Sequence, residues 1–228
     1  MSSEYPTMFS PDSVFVDAVT NIMPEIRSRL KGRLTGLDSD YGLLAQAIFD
    51  AGDGDYIEFG SLYGASAVLA SLIKNKYNIA GIVMCVDPLD GYYGREQDPV
   101  TPDVPVDQAT FWHNVDTFDV KDRIRLSMVK SSDFRNIYDN IYSIGFVDGN
   151  HWGTAPLKDI RWMQKNVTSH IVVDNYDYCH QDVVNAVYGS VDSIWTLTHV
   201  SGLTAILQKD VEFKLRKAFA KKMAEEAV

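Results

Sequence analysis

Cysteine is scarce in this chain: Cys85 and Cys179 are the only two in 228 residues, and they stand at no metal-ligand spacing. A disulfide scaffold is therefore excluded. Cys85 falls inside an apolar, strand-like run and reads as a small buried hydrophobe. A bond between the two is left open, with a reducing, cytoplasmic setting as the default. Long apolar runs are also missing. The longest, from Ile79 to Val86, is broken by Gly81 and falls far short of the roughly 20 residues that span a bilayer. The N-terminal Met-Ser-Ser-Glu-Tyr-Pro lacks a basic stretch followed by an apolar one, so no signal peptide is read there. Positive charge is short as well, with 21 Lys and Arg against 31 Asp and Glu, a net −10. Such a surface repels phosphate backbones and anionic lipid heads, so neither nucleic acid nor membrane is expected as a partner. No repeat, low-complexity tract or Gly/Ser linker interrupts the chain.

What is present is ordinary globular composition, 46% hydrophobic and 23% charged. One domain over residues 1–228 is the expectation. Residues 1–52 contain two helical segments. Val14, Val19, Ile22, Met23, Ile26 and Leu30 recur at helical spacing, and a second helix follows the cap signal Asp38-Ser39-Asp40. Short apolar runs then alternate with helical ones. Strands are expected at 56–59, 81–86, 124–129, 144–147, 170–173, 194–200 and 203–208. Helices are expected at 65–73, 107–117, 155–164 and 181–187. This rhythm predicts an α/β, Rossmann-like, mostly parallel seven-stranded sheet with helices on both faces. Only Ser201-Gly202 separates the final two strands, so the last must run antiparallel.

Residues 91–110 hold three prolines and two tyrosines without periodicity. A loop of that length is a lid-like insertion or a solvated excursion, and its place after a strand end favours a role in binding. Residues 210–228 read as an amphipathic C-terminal helix with a basic face.

The segment Tyr56-Ile-Glu58-Phe-Gly60-Ser61-Leu-Tyr-Gly64-Ala-Ser66 runs from strand through glycines into a helix. Its glycines allow a tight turn and a close approach, and the helix start offers unpaired N–H groups. Asp87 ends the second strand, where a carboxylate accepts hydrogen bonds from ribose hydroxyls. The third strand runs out into the polar turn Lys130-Ser131-Ser132-Asp133. Each acid alone is commonly a cap, but together at successive strand ends they indicate a nucleoside-bearing ligand.

Over residues 40–208 this pattern resembles the class I S-adenosylmethionine-dependent methyltransferases. It is similar to a small-molecule O-methyltransferase branch with the motifs Glu-x-Gly-x-x-x-Gly-x-Ser and Asp-Gly-x-His. These stand here as Glu58 to Ser66 and as Asp148-Gly149-Asn150-His151. Leu62 occupies the place of the family's common central glycine. The resemblance implies that Glu58, Gly60, Ser61, Gly64 and Ser66 hold the methionine part of the donor, and Asp87 its ribose. Ser132 and Asp133 would line the adenine side, with Asp148 closing the cofactor site.

Asp148 and Asp174-Asn175 end two neighbouring strands, so two carboxylates and an amide converge. That oxygen-only set suits Mg²⁺ with waters completing an octahedron, and two such carboxylates need a cation or a proton between them. The alternative is that Asp148 caps the next helix and Asp174-Asn175 begins a turn. The arrangement also resembles the metal site of Mg²⁺-dependent O-methyltransferases, a branch that has metal-free members. His151 is read as the general base for an acceptor hydroxyl, against the plainer role of a surface or cap residue. His180 is the weaker competitor. Trp152 either walls an acceptor pocket or packs.

The expected activity is methyl transfer to an oxygen of a small hydroxylated acceptor, a sugar or a phenol. The alternatives are a metal-dependent hydroxylase-like relative on the same fold and a non-catalytic nucleoside-binding module. Homo-oligomerisation is left open.

Overall fold

The computed structural model describes residues 13–34, 36–93 and 95–210. Seven α-helices lie among them: α1 (Ser13–Arg29), α2 (Asp38–Ala51), α3 (Ala65–Lys76), α4 (Gln108–Thr117), α5 (Ser131–Ile137), α6 (Ala155–Asn166) and α7 (Gln181–Ser190). The strands are β1 (Tyr56–Phe59), β2 (Val83–Val86), β3 (Ile124–Ser127), β4 (Tyr142–Val147), β5 (Val167–Val173), β6 (Trp195–Ser201) and β7 (Thr204–Lys209). The C-terminal helix expected over 210–228 lies outside the described residues beyond Asp210.

The strands form one sheet in the order β3-β2-β1-β4-β5-β7-β6. Neighbours from β3 to β5 pair in parallel, and β7 pairs antiparallel with both β5 and β6. The last strand is thus reversed as expected, but it inserts inside the sheet and leaves β6 at the edge.

Period-two alternation sends successive side chains to opposite faces, so the sheet carries two cores. Tyr56, Cys85, Ile144, Phe146 and Val172 pack with Met23, Leu44, Leu69 and Phe111 from α1–α4. Ile57, Phe59, Val147, Ile171 and Leu207 pack with Phe134, Ile160, Met163 and Val187 from α5–α7. Both cysteines are free, Cys85 buried and Cys179 exposed. No helix among the described residues is long and apolar enough to cross a membrane.

Two local readings change. Residues 130–133 are not a turn: Lys130 is the N-cap of α5, and Ser132 and Asp133 lie exposed in its first turn. Phe134 is the only buried residue of that seven-residue helix, so it carries no 3.6-residue pattern. Helix α2 begins at Asp38 with Leu37 as N-cap. Asp40 does more than cap it. Its carboxylate accepts from Leu37 N (3.0 Å) and from Leu203 N in the β6–β7 turn (3.0 Å), tying helix to sheet.

The turn after β1 decides what the sheet edge looks like. Gly60 sits at φ 93°, and a Cβ there would lie 2.0 Å from the carbonyl oxygen of Asp148. Leu62 occupies the left-handed region at φ 47°, a conformation that costs a branched residue roughly 1–2 kcal/mol. Gly60→Ala is therefore expected to destabilise the fold by several kcal/mol or to prevent soluble expression. Leu62→Gly should stay within about 1 kcal/mol of the parent, since relief of strain offsets the lost side chain and added chain entropy. Urea unfolding of the two variants checks the contrast.

Candidate active site

The parallel register aligns Phe59 with Val147 and Val147 with Val173. One residue further on, Asp148 N donates to Phe59 O (2.9 Å) and Asp174 N to Val147 O (3.0 Å), so both acids emerge side by side. Asp148 does not cap the next helix, because α6 starts at Ala155 with Thr154 at its N-cap. The carboxyl groups of Asp148 and Asp174 are near enough to influence each other's ionisation. Burial raises both above the ordinary carboxylate range. The charge of Glu58 adds to the effect on Asp148, and the charge of Asp148 adds to that on Asp174. Asp148 still keeps 32% of its side-chain surface exposed. Asn175 follows in the left-handed region at φ 57°. Among the described residues no group of three or more His, Cys, Asp or Glu side chains is arranged to hold a metal ion.

On the other side of this pair lies the glycine turn. Glu58 is fully buried. Tyr56 Oη donates to its Oε2 (2.9 Å), while Oε1 and the nearby Ser61 Oγ find no hydrogen-bond partner among the described residues. Burial pushes the Glu58 carboxyl up to about 7, against the pull of the polar groups of Ser61, Tyr56, Ser66 and Cys85. Gly64, at φ 79°, opens α3, and Phe111 packs where its Cβ would be. Ser66 is buried in the first turn of α3.

Asp87 braces that turn from below. Its Oδ2 accepts from Leu62 N (2.9 Å) and its Oδ1 from Leu89 N (2.8 Å). Burial raises its carboxyl, and these amides pull the other way. Each oxygen retains a lone pair for a further donor.

His151 lies with its Nε2 3.3 Å from Asp148 Oδ1, out of line for a hydrogen bond and without a partner among the described residues. Its Nδ1 meets Tyr93 Oη at 3.1 Å, and Tyr93 Oη donates to Gly149 O at 2.8 Å. Tyr93 has one hydroxyl proton. The network therefore assigns the His151 proton to Nδ1 and a free lone pair to Nε2. Burial lowers the His151 pKa, though the charges of Asp174 and Asp177 oppose it, so the ring is neutral near pH 7.

The loop over 91–110 is anchored by a buried ion pair that no sequence pattern announced. Asp98 is fully buried and is held by Arg33, Val100 N (3.0 Å) and Thr101 Oγ1 (3.2 Å). Tyr63 Oη reaches Thr101 Oγ1 (2.9 Å) and Val104 O (3.2 Å), and Arg33 also lies over the Tyr92 ring. The insertion is thus strapped to the glycine turn and to the segment after α1, with Tyr93 delivered to His151. Asp107 caps α4 through Thr110 N (2.8 Å). Glu58, Gly60, Ser61, Gly64, Ser66, Asp87, Asp148, Asp174, Asn175 and His151 all fall on this one edge. Ser132 and Asp133 lie exposed at the start of α5, after the edge strand β3 and two strands away from β1.

No family model matches the chain, and no curated protein matches it in sequence. Solved structures do. NovP, an O-methyltransferase, superposes with a TM-score of 0.60 at 14% identity, covering 86% of this chain and 97% of its own. An O-methyltransferase from Bacillus cereus in complex with S-adenosylhomocysteine gives 0.53 at 13%, covering 88% and 92%. The S-adenosylhomocysteine-bound methyltransferase PaMTH1 of Podospora anserina gives 0.57 at 10%, covering 90% and 100%. The chain has the methyltransferase fold. At these identities the likeness is one of architecture, and the chemistry has to come from the residues at the edge of the methyltransferase sheet.

The buried acid makes one consequence measurable. With its pKa raised from 4.5 to about 7, the folded Glu58 keeps a proton that the unfolded chain has already released. Stability therefore falls as pH rises across that window, and the cost persists above it. Glu58→Gln keeps an acceptor for Tyr56 and cannot ionise. At pH 8 it is expected to be more stable than the parent by up to about 3 kcal/mol, with the gap closing by pH 4. Chemical denaturation at the two pH values reads this directly.

Proposed function

We propose that the protein is an S-adenosylmethionine-dependent O-methyltransferase acting on a small hydroxylated acceptor. The observation that carries this reading is Glu58: a fully buried acid at the end of β1, with Oε1 unpaired beside an unpaired Ser61 Oγ. A buried carboxylate with an empty lone pair is costly unless a cation or donor completes it. The ammonium of S-adenosylmethionine supplies one. The N–H groups at the start of α3 suit its carboxylate, and Asp87 suits the ribose hydroxyls. The cluster of acids around Asp148 favours a sulfonium over a neutral thioether. Ser132 and Asp133 remain the assignment for the adenine side, on their position after β3.

On the acceptor side, His151 Nε2 takes the hydroxyl proton while the oxygen attacks the methyl carbon in line with the departing sulfur. General-base help of this kind typically contributes 10²–10⁴-fold, and holding donor and acceptor in line contributes more. Tyr93 keeps the imidazole in the tautomer this step requires. If Mg²⁺ binds, Asp148, Asp174 and Asn175 are the residues that would hold it, as a hard oxygen-only set. Bound there, the ion would lower the acceptor's pKa and fix its orientation.

Calorimetric titration with S-adenosylhomocysteine tests the donor site. Binding is expected in the parent chain, and Asp87→Ala should weaken it by about 1.5–3 kcal/mol. A parent that does not bind would end the methyltransferase reading. Metal is tested separately by thermal unfolding. Mg²⁺ at a tenfold excess over its Kd adds about 1.4 kcal/mol, or roughly 3–5 °C for a chain of this size. Asp174→Ala is expected to lose that shift. No shift in the parent would leave His151 as the sole activator of the hydroxyl.

A further inference from the structure

One conspicuous side chain at this edge has no part in donor binding or proton transfer. Trp152 leaves 57% of its surface in water, whereas Trp162 and Trp195 are buried in the core. It belongs to neither core cluster. Its loop is nonetheless fixed. Trp152 N donates to Asn150 Oδ1 (3.0 Å), and Gly153 N donates to Asp182 Oδ2 of α7 (2.7 Å). An indole held in water by a pinned backbone is an apolar surface in search of a partner.

From the indole a line of ring contacts leads inward. Trp152 lies 5.8 Å from the His180 ring, His180 lies 5.4 Å from His151, and His151 lies 6.1 Å from Tyr93. His180 is itself clamped, with Nδ1 against Asp177 Oδ2 at 3.0 Å. Asp177 Oδ1 meanwhile accepts from Cys179 N (2.6 Å) and His180 N (3.1 Å). The rings of Trp152, His151 and His180 come from the loops after β4 and β5, the same two loops that begin with Asp148 and Asp174, and Tyr93 comes from the insertion after β2. A ligand resting on them lies beside the His151 ring, whose Nε2 is turned inward and enclosed next to Asp148.

We propose that Trp152 and His180 form the platform on which the acceptor lies. The acceptor is a six-membered ring with an apolar face, stacked on the indole and presenting an edge hydroxyl to His151. This deepens the O-methyltransferase reading and rests on it. The ring-face chemistry is shared by a pyranose, through its C–H face, and by a phenol, through its π face. Trp152 then selects for ring shape, while His151 and the carboxylates handle the hydroxyl.

Saturation-transfer-difference NMR on the full chain tests this with two probes, catechol and methyl β-D-glucopyranoside, each with and without S-adenosylhomocysteine. Saturation is expected to reach the ring protons of at least one probe, and the responding probe tells a phenol site from a sugar site. Trp152→Ala should weaken that probe about three- to tenfold, the range for one stacking partner, and Trp152→Phe should retain most of the affinity. Because the indole is exposed, neither variant should shift the thermal midpoint. No transfer to either ring, or equal transfer in Trp152→Ala, overturns the platform. Calorimetry with S-adenosylhomocysteine on the same samples separates the two ideas. Donor binding without a Trp152-dependent ring contact sinks the platform alone. A Trp152-dependent ring contact without donor binding sinks the donor site and leaves the platform standing.

Discussion

The parallel register of β1, β4 and β5 is the constraint on which the rest of the site depends. Phe59, Val147 and Val173 stand abreast, so the next residue of each strand emerges beside the others, about 5 Å apart from strand to strand. Those three residues are Gly60, Asp148 and Asp174. The approach is so close that the backbone of Asp148 occupies the place where Gly60 would carry a Cβ. Replace that glycine and β1 must separate from β4, which moves Glu58 away from Asp148. The glycine turn is thus a condition for the carboxylate cluster as well as for the bend in the chain.

Packing acids this tightly works against the fold. Glu58, Asp87, Asp148 and Asp174 all have their carboxyls raised, with burial the leading cause in each. In the free protein the cost is met by protons and by backbone amides, as where Leu62 and Leu89 donate to Asp87. Among the described residues none of these acids is paired with a lysine or arginine, and only the neutral His151 lies beside Asp148, whereas Asp98 is neutralised by Arg33 and Asp159 by Arg135. The buried acids Asp98 and Asp159 are thus matched by arginines, and the acids at the sheet edge are not. Under the proposed reading, a cationic ligand would take over from those protons on binding.

The strands were legible in the sequence because they are short apolar runs between glycine and aspartate punctuation, and the acids closing them were legible for the same reason. Helix α5 was not. Seven residues with Phe134 as the one buried anchor leave no period to detect, and Ser131-Ser132-Asp133 has the composition of a turn. The strap over the site was hidden for a different reason. Asp98 sits in a loop with no periodicity and Arg33 in a segment between helices, and their pairing spans 65 positions. Only tertiary structure brings them together. Asp40 was visible as a helix-start residue, but its second bond, to Leu203 across 163 positions, was not.

The two halves of the edge differ in how they are held, and that difference matches what each half would have to do. On one side, which the proposed reading gives to the donor, Glu58, Asp87 and the turn from Gly60 to Gly64 belong to strands and a helix start, fixed by backbone bonds and strapped by Tyr63 to the insertion. That rigidity suits a ligand of constant shape. On the other side, His151, Trp152 and His180 sit on loops, each set by a few side-chain contacts: Tyr93 for His151, Asp177 for His180 and Asp182 for the loop of Trp152. Loops tolerate substitution where strand ends do not. The boundary between the halves is the Asp148–Asp174 pair, fixed by the sheet and partly exposed. Under the proposed reading a methyl group passing from donor to acceptor would cross the structure there, where the half built on strand ends meets the half built on loops.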